Sequence, residues 1–196
     1  MNKTYSQIIV TGIVISTDHN ISNKDTVSPV IQLTTYDTET KTWLDNIYIL
    51  FSDNSNARKF RMFNIGDILL LSGELIYYSG AGFLINPLNY VVLDSNKKDI
   101  PIDVQKSNLI SSTGVLNHIF IKGNLLNLSK NIASISHDIV YPVKGNINQV
   151  SIQPVQFTND LKKAVKDIVF VGKFTTDLDK LLPNKAILKG ELYNVK

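Results

Sequence analysis

NIYILFSDNSNARKFRMFNIGDILLLSGELIY occupies residues 46 to 77, and its reading decides the architecture. Residues 46 to 51 (NIYILF) and 68 to 77 (ILLLSGELIY) have the β-branched and aromatic composition of strands. Between them, residues 54 to 64 (NSNARKFRMFN) place Ala57, Phe60, Arg61 and Phe63 at helical spacing before a Gly66-Asp67 stop. The order is strand, short helix, strand. Upstream, residues 6 to 15 (SQIIVTGIVI) and 30 to 36 (VIQLTTY) supply two more strands. Downstream, residues 83 to 93 (FLINPLNYVVL) supply a fifth, after Ser79-Gly80-Ala81-Gly82, whose glycines can take the positive φ of a tight hairpin.

Five antiparallel strands with one helix between the third and fourth is the element order of an OB-fold. In that small barrel, strands two and three and the one-two and four-five loops bind oligonucleotides or oligosaccharides. Gly12 in the first strand and Gly73 in the fourth suit a sheet that must bend sharply where side chains would crowd.

The pattern restarts in the second half. Residues 119 to 125 (IFIKGNL) echo 8 to 14 (IIVTGIV) with the glycine in register. Residues 167 to 171 (DIVFV) echo 46 to 50 of the third strand, and 187 to 193 (ILKGELY) echo 70 to 76 of the fourth. Residues 176 to 182 (TDLDKLL) then stand where the first copy has its helix. The expected architecture is all-β: tandem OB-fold-like five-stranded barrels, each with one short helix between strands three and four. Residues 1 to 98 form the first domain, the polar and proline-containing 99 to 112 a linker, and 113 to 196 a degenerate second domain. That second copy lacks an equivalent of residues 83 to 93, so its barrel is open, or is closed by the stretch from 132 to 157 or by a partner chain.

Composition narrows the function. In 196 residues, 43% are hydrophobic and 19% charged, which is enough apolar surface for a core and too little charge for disorder. The longest apolar run, residues 47 to 51, falls far short of the roughly 20 needed to span a bilayer. The N-terminus reaches polar Thr11 after only Ile8, Ile9 and Val10, so no secretory signal is expected and the mature chain is expected to start near Met1. Zero cysteines exclude disulfides, thiolate metal sites and cysteine nucleophiles. His19, His118 and His137 lack partners at metal-ligand spacing, so no metal and no cofactor are expected. Net charge is +3, divided as −1 over residues 1 to 98 and +4 over 99 to 196. This permits a modest electrostatic groove, and argues against a polyanion binder that relies on many released counterions. The abundance of asparagine, isoleucine and lysine is what AT-rich codons produce, so the position of a lysine matters more than the number of lysines.

Enzymatic readings fail on geometry. Gly80-Ala81-Gly82 has no helix after it and misses the nucleotide-binding context. Ser136-His137-Asp138 lies along a strand, which points neighbours to opposite faces and cannot assemble a relay. Asp177 and Asp179 have the placing of helix-start acids. The protein is read as no enzyme.

Residues 6 to 94 resemble bacterial and plastid-type single-stranded DNA-binding proteins. The likeness rests on the opening IIVTGIV, on Trp43 just ahead of the third strand, on the basic short helix, and on the glycine-aspartate turn into ILLLSGEL. The small single-strand-binding-like reading frames of cyanobacteria and plastids, and primosomal replication protein B, are similar in the same respects. The resemblance implies non-enzymatic binding of single-stranded DNA, accessory to replication, recombination or repair. It also implies location on the nucleoid in the cytoplasm, or in the plastid stroma if plastid-encoded. Family members present four OB-folds as a homotetramer, so two folds per chain imply a homodimer. The family recruits replication and repair proteins through an acidic tail; Glu191-Leu192-Tyr193-Asn194-Val195-Lys196 departs from that pattern, so recruitment through a tail is not expected, while replication or repair proteins remain partners that the resemblance implies.

Sequence-tolerant strand binding needs flat aromatic faces and cations along the backbone track. The candidates are Trp43, Phe51, Tyr36, Tyr48, Tyr77, Tyr78 and Phe83 for stacking, with Lys41, Arg58, Lys59 and Arg61 for phosphate. In a regular strand Trp43 shares the face of Ile47, Ile49 and Phe51. Against this stands rim packing for Trp43, core packing for about half of the strand aromatics, and a solvated helix face for the basic cluster. Lys162, Lys163 and Lys166, with Lys122, Lys173 and Lys189, extend a track or only keep the second half in solution. Stacking does not read the 2′-hydroxyl, so RNA is a variant of the same reading. The competing reading is a protein-interaction adaptor or assembly subunit that does not depend on nucleic acid.

Overall fold

The computed structural model describes residues 4–23, 26–50, 62–78, 82–140, 150–159, 166–176 and 185–195. Its strands are β1 (Tyr5–Asn23), β2 (Thr26–Asp37), β3 (Thr42–Ile49), β4 (Ile68–Tyr78), β5 (Gly82–Asp94), β6 (Asn117–Ser129), β7 (Ile132–Asp138), β8 (Val150–Phe157), β9 (Asp167–Thr176) and β10 (Ala186–Asn194). The expected helices over residues 54 to 64 and 176 to 182 lie almost wholly outside the described residues. No helix among the described residues is long and apolar enough to cross a membrane.

The strands pair in two rings. In the first, β1 pairs β2, β2 pairs β3, β3 runs parallel to β5, β5 pairs β4, and β4 returns to β1. In the second, β6, β7, β8, β10 and β9 repeat that circuit, including the one parallel pair, β8 with β10. This corrects two of the echoes read from sequence. Residues 167 to 171 belong to β9, which holds the fourth place in its ring rather than the third, and 187 to 193 belong to β10, the fifth rather than the fourth. The third place is taken by β8, from the stretch that was expected at most to donate an extra strand, so the second ring needs no partner chain to close.

The two rings are joined along one strand pair. Tyr5 to Val10 of β1 run antiparallel to Asn117 to Lys122 of β6, with Ile8 opposite Ile119. Ile8 also lies opposite Gly73 of β4, and Ile119 lies opposite Gly172 of β9. The fourth strands therefore match at their glycines, and a Cβ on either would meet a fifth-strand carbonyl oxygen, Asn86 O at 2.2 Å or Lys189 O at 2.4 Å. Crowding of backbone against backbone is what demands glycine there.

Inward residues at alternate positions, such as Ile8 and Val10 of β1, Ile47 and Ile49 of β3, and Ile168 and Phe170 of β9, belong to a hydrophobic cluster shared by both rings. Phe83 of the first ring packs on Phe174 of the second at 5.1 Å between centroids. Two polar links reinforce the join: Gln153 Nε2 donates to Leu75 O at 3.0 Å, an oxygen that also accepts from Ser6 Oγ within the first ring, and Thr4 Oγ1 donates to Asp138 Oδ2 at 2.6 Å. His137 is buried beside them with Nδ1 3.0 Å from its neighbour's carbonyl oxygen, and burial pushes its pKa down, so the ring is held neutral.

Segment 99 to 112, expected as a linker, is helical over much of its length. Helix α1 (Ile102–Asn108) follows Pro101 and runs into a π-helical turn (Leu109–Thr113). Asp103 in its first turn and Lys106 in its last complement the helix dipole. Asp67 anchors the approach to it, accepting from the Asn64 and Asn96 amides, while Asn96 in turn holds Ile65 and Ile100. Leu109 seats the segment on Ile13 and Ile68, on the outside of the first ring.

At the other flank, Lys173 Nζ reaches Asp37 at 2.9 Å and Glu39 at 2.7 Å, and Thr175 Oγ1 donates to Asp37 at 2.5 Å. Burial alone pushes the Asp37 carboxyl up. The bonds from Lys173, Thr175 and Thr40 and from the Glu39 amide outweigh it and hold the group below its ordinary 3.8. Burial likewise pushes Lys173 down, but its two carboxylate partners carry it above 10.5. The Asp37 contribution is thus present above pH 3.8 and lost as pH falls through the lower folded-state value. The Lys173 contribution is present below pH 10.5 and lost as pH rises through the higher one.

Two outcomes follow for denaturation experiments. Asp37→Asn should cost about 2 kcal/mol at pH 7 in urea unfolding, with the difference from the parent shrinking as pH drops below 3.8. Gly73→Val should cost about 3 kcal/mol, because its Cβ meets backbone rather than a movable side chain; a loss under about 0.5 kcal/mol would refute the close approach.

Candidate nucleic-acid interface

The outward face of β2 and β3 is set by which residues the core claims. Ile31 and Leu33 of β2 and Leu44, Ile47 and Ile49 of β3 point into the ring, leaving Gln32, Tyr36, Trp43 and Tyr48 on the other side. Tyr36 lies directly opposite Trp43 and Gln32 directly opposite Tyr48. Sequence reasoning put Trp43 on the face of Ile47 and Ile49. The strand is not regular: Leu33 pairs Ile47 while Thr35 pairs Leu44, so β3 carries one extra residue, and Asn46 takes φ 69°. The bulge reverses the parity and turns Trp43 outward. Gly82, at φ 116°, leaves room for it, since a Cβ there would meet the Asn46 side chain at 2.2 Å.

Trp43 is half-buried. One edge meets Tyr36 at 5.1 Å between centroids, tilted by 47°. Lys106 of α1 sits over the indole, with Nζ 5.4 Å from its centroid. Trp43 and Val115 also pack on Ile13, Ile68 and Leu109, so Trp43 is a rim residue with a cation above it. Lys41 stands exposed in the β2–β3 turn at φ 55°. The backbone of Lys185 pairs with that of Asp45 in an isolated parallel β-bridge at the strand's midpoint. Two cations thus border the aromatic face, Lys41 from the turn and Lys106 from the helix, and the second ring meets β3 beside it through the backbone.

The other candidates separate. Tyr48 is 7% exposed and Phe83 2%; both are packed into clusters and offer no free ring face. Tyr48 is covered by exposed His19, stacked at 5.0 Å and 16°. Burial, with the Asp45 charge, pushes the Tyr48 phenol above its ordinary 10.0. Tyr77 and Tyr78 are half-buried at the end of β4, Tyr77 against Phe83 at 5.2 Å. Phe51, Arg58, Lys59 and Arg61 lie outside the described residues. Of the second-half lysines, Lys173 is bound to Asp37 and Glu39, exposed Lys189 lies opposite it on β10, and Lys122 lies on β6 between Tyr5 and Val169. Lys162 and Lys163 are not among the described residues, and exposed Lys166 precedes β9.

Lys106 and His19 were missed from sequence. For Lys106 the signal was present: a proline, an acid two residues on and a lysine three residues beyond that mark a short helix by dipole and cap rules. For His19 there was none, since its stacking depends on the register between β1 and β2, which shifts twice between Val14 and His19.

No family model and no curated protein matches the sequence. Among solved structures, the chain is similar to the single-stranded DNA binding protein from Thermus aquaticus. A deletion mutant of that protein aligns with TM-score 0.57 at 12% identity, covering 100% of this chain and 97% of the other. The wild type aligns with TM-score 0.51 at 11% identity, covering 99% and 94%. What the two proteins share at this identity is the fold, and they share it from end to end.

Proposed function

We propose that the chain is a tandem OB-fold protein that holds single-stranded DNA, with RNA as a variant, on the outward face of β2 and β3. The observation that carries this reading is the juxtaposition of Tyr36 and Trp43 on that face with Lys41 and Lys106 beside them. Half-exposed rings give bases a stacking surface worth roughly 1–3 kcal/mol each, and the lysines supply phosphate contacts. Arg58, Lys59 and Arg61 would extend the track from the segment after β3. Similarity of fold to a single-stranded DNA binding protein supports the same conclusion. Such a protein serves wherever strands are exposed during replication, recombination or repair, on a bacterial nucleoid or in a plastid.

The homodimer belongs to the same proposal. Strands β5, β4, β1, β6, β9 and β10 form one continuous sheet across both rings. Its outward face presents Val91, Leu70, Ile9, Phe120, Val171 and Tyr193, most of them well exposed, interspersed with Asn89, Ser72, Gln7, His118 and Glu191. A mixed face with exposed apolar groups on both rings suits a second copy of itself, which would meet it isologously.

A second reading, an adaptor that binds protein and not nucleic acid, is favoured by one observation: Lys106 occupies the Trp43 face that a base would use.

A fluorescent oligo-dT titration, followed by anisotropy and tryptophan emission at low and moderate salt, decides between them. Stacking predicts quenching of Trp43 with a modest salt slope, and Trp43→Ala with Arg58→Ala should weaken binding at least tenfold. No binding at micromolar protein and low salt would overturn the DNA reading and promote the adaptor. For the dimer, Val171→Glu should halve the mass seen by light scattering while leaving the circular dichroism spectrum unchanged. An unaltered mass, or a parent that is already monomeric, would remove the proposed face.

A further inference from the structure

The two rings share a circuit but not a binding surface. By place in the circuit, β7 and β8 correspond to β2 and β3. Alternation along β8 is unbroken: Ser151, Gln153, Val155 and Phe157 are buried, while Val150, Ile152 and Pro154 are exposed. Opposite them on β7 stand Asp138, Ser136 and Ser134. Neither strand contains tyrosine, tryptophan, lysine or arginine. The one phenylalanine, Phe157, points into the core, and His137 is buried. The outward face of β7 and β8 therefore offers a single strand aliphatic groups, hydroxyls and an acid, with neither a ring to stack on nor a cation to hold phosphate. Among the described residues, the other aromatics of the second ring are Phe170 and Phe174 in the core and Phe120 and Tyr193 on the face of β6, β9 and β10.

We infer that each chain carries one strand-binding face and not two: the first ring holds the nucleic acid, and the second contributes at the flank of that face through Lys173. Lys173 neutralises Asp37 and Glu39, whose charges would otherwise repel phosphate at the end of β2, and the backbone pairing of Lys185 with Asp45 brings the second ring against β3 there. The inference rests on the single-stranded DNA reading and sharpens it to a stoichiometry and a location.

Native mass spectrometry with saturating (dT)10, a length of about one OB-fold site, gives the count directly. The expected result is one oligonucleotide per chain, whatever the number of chains in the particle. Two per chain would overturn the inference while leaving the DNA reading standing. Two variants then locate the site. Gln32→Glu, on the first ring's face, should weaken (dT)10 binding about tenfold. Ile152→Glu, exposed on the second ring's face, should change it less than twofold; a loss matching that of Gln32→Glu would place nucleic acid on both rings. Absence of any (dT)10 binding by the parent would overturn the DNA reading itself, and this inference with it.

Discussion

Everything in this molecule hangs on the antiparallel pairing of β1 with β6. A strand in a closed five-membered ring has two neighbours, yet β1 has three: Tyr5 to Val10 pair β6, Ile8 to Ile13 pair β4, and residues from Ile13 onward pair β2. That is available because β1 is 19 residues long and changes partner along its length. The edge of β1 opposite β4 is taken by β6 as far as Val10 and by β2 from Ile13, and two register shifts between Val14 and His19 bend the strand along β2.

The same constraint explains where the polar groups of the interior go. Backbone and side-chain groups at a buried seam must find partners. Here Ser6, Gln153, Thr4 and Asp138 meet across the seam around the Leu75 carbonyl and the adjoining β7 end. Asp37, fully buried, is met by Lys173 and Thr175 from the other ring. Removing one partner from such a set leaves a buried group unsatisfied, which is costlier than never having placed it there.

How much of this is legible in the sequence differs between the halves. The first ring's strands are written in long β-branched runs, and each overlaps the stretch that periodicity marks, though β1 runs on to Asn23 and β3 begins at Thr42, which takes Trp43 into the strand rather than ahead of it. In the second ring, the echo of residues 8 to 14 in 119 to 125 falls on β6, which holds the first place in its ring. The third strand is disguised because VSIQPVQF mixes glutamines with a proline, which reads as loop until Pro154 is seen to face outward. Once β8 is overlooked, each later strand shifts by one place. Helix α1 shows in the sequence only through its terminal signals, Pro101, Asp103 and Lys106, because it is seven residues long and has a single buried side chain, Gln105, too little for an apolar periodicity. At the candidate site, residue types were readable but their facing was not. The Asn46 bulge decides which way Trp43 points, and burial of Tyr48 and Phe83 depends on neighbours brought in from distant strands.

The covalent tie between the rings has a consequence for behaviour on dilution. Two separate rings that met through the edges of β1 and β6 would associate with a concentration-dependent equilibrium and part when scarce. In a single chain the same edges meet at an effective concentration set by the connecting segment, which here is shortened by a helix and docked through Leu109 onto the first ring. The paired state is therefore insensitive to how few copies of the protein are present. The alignment of Lys173 and Lys185 against the first ring is then a fixed property of each molecule, rather than of its abundance.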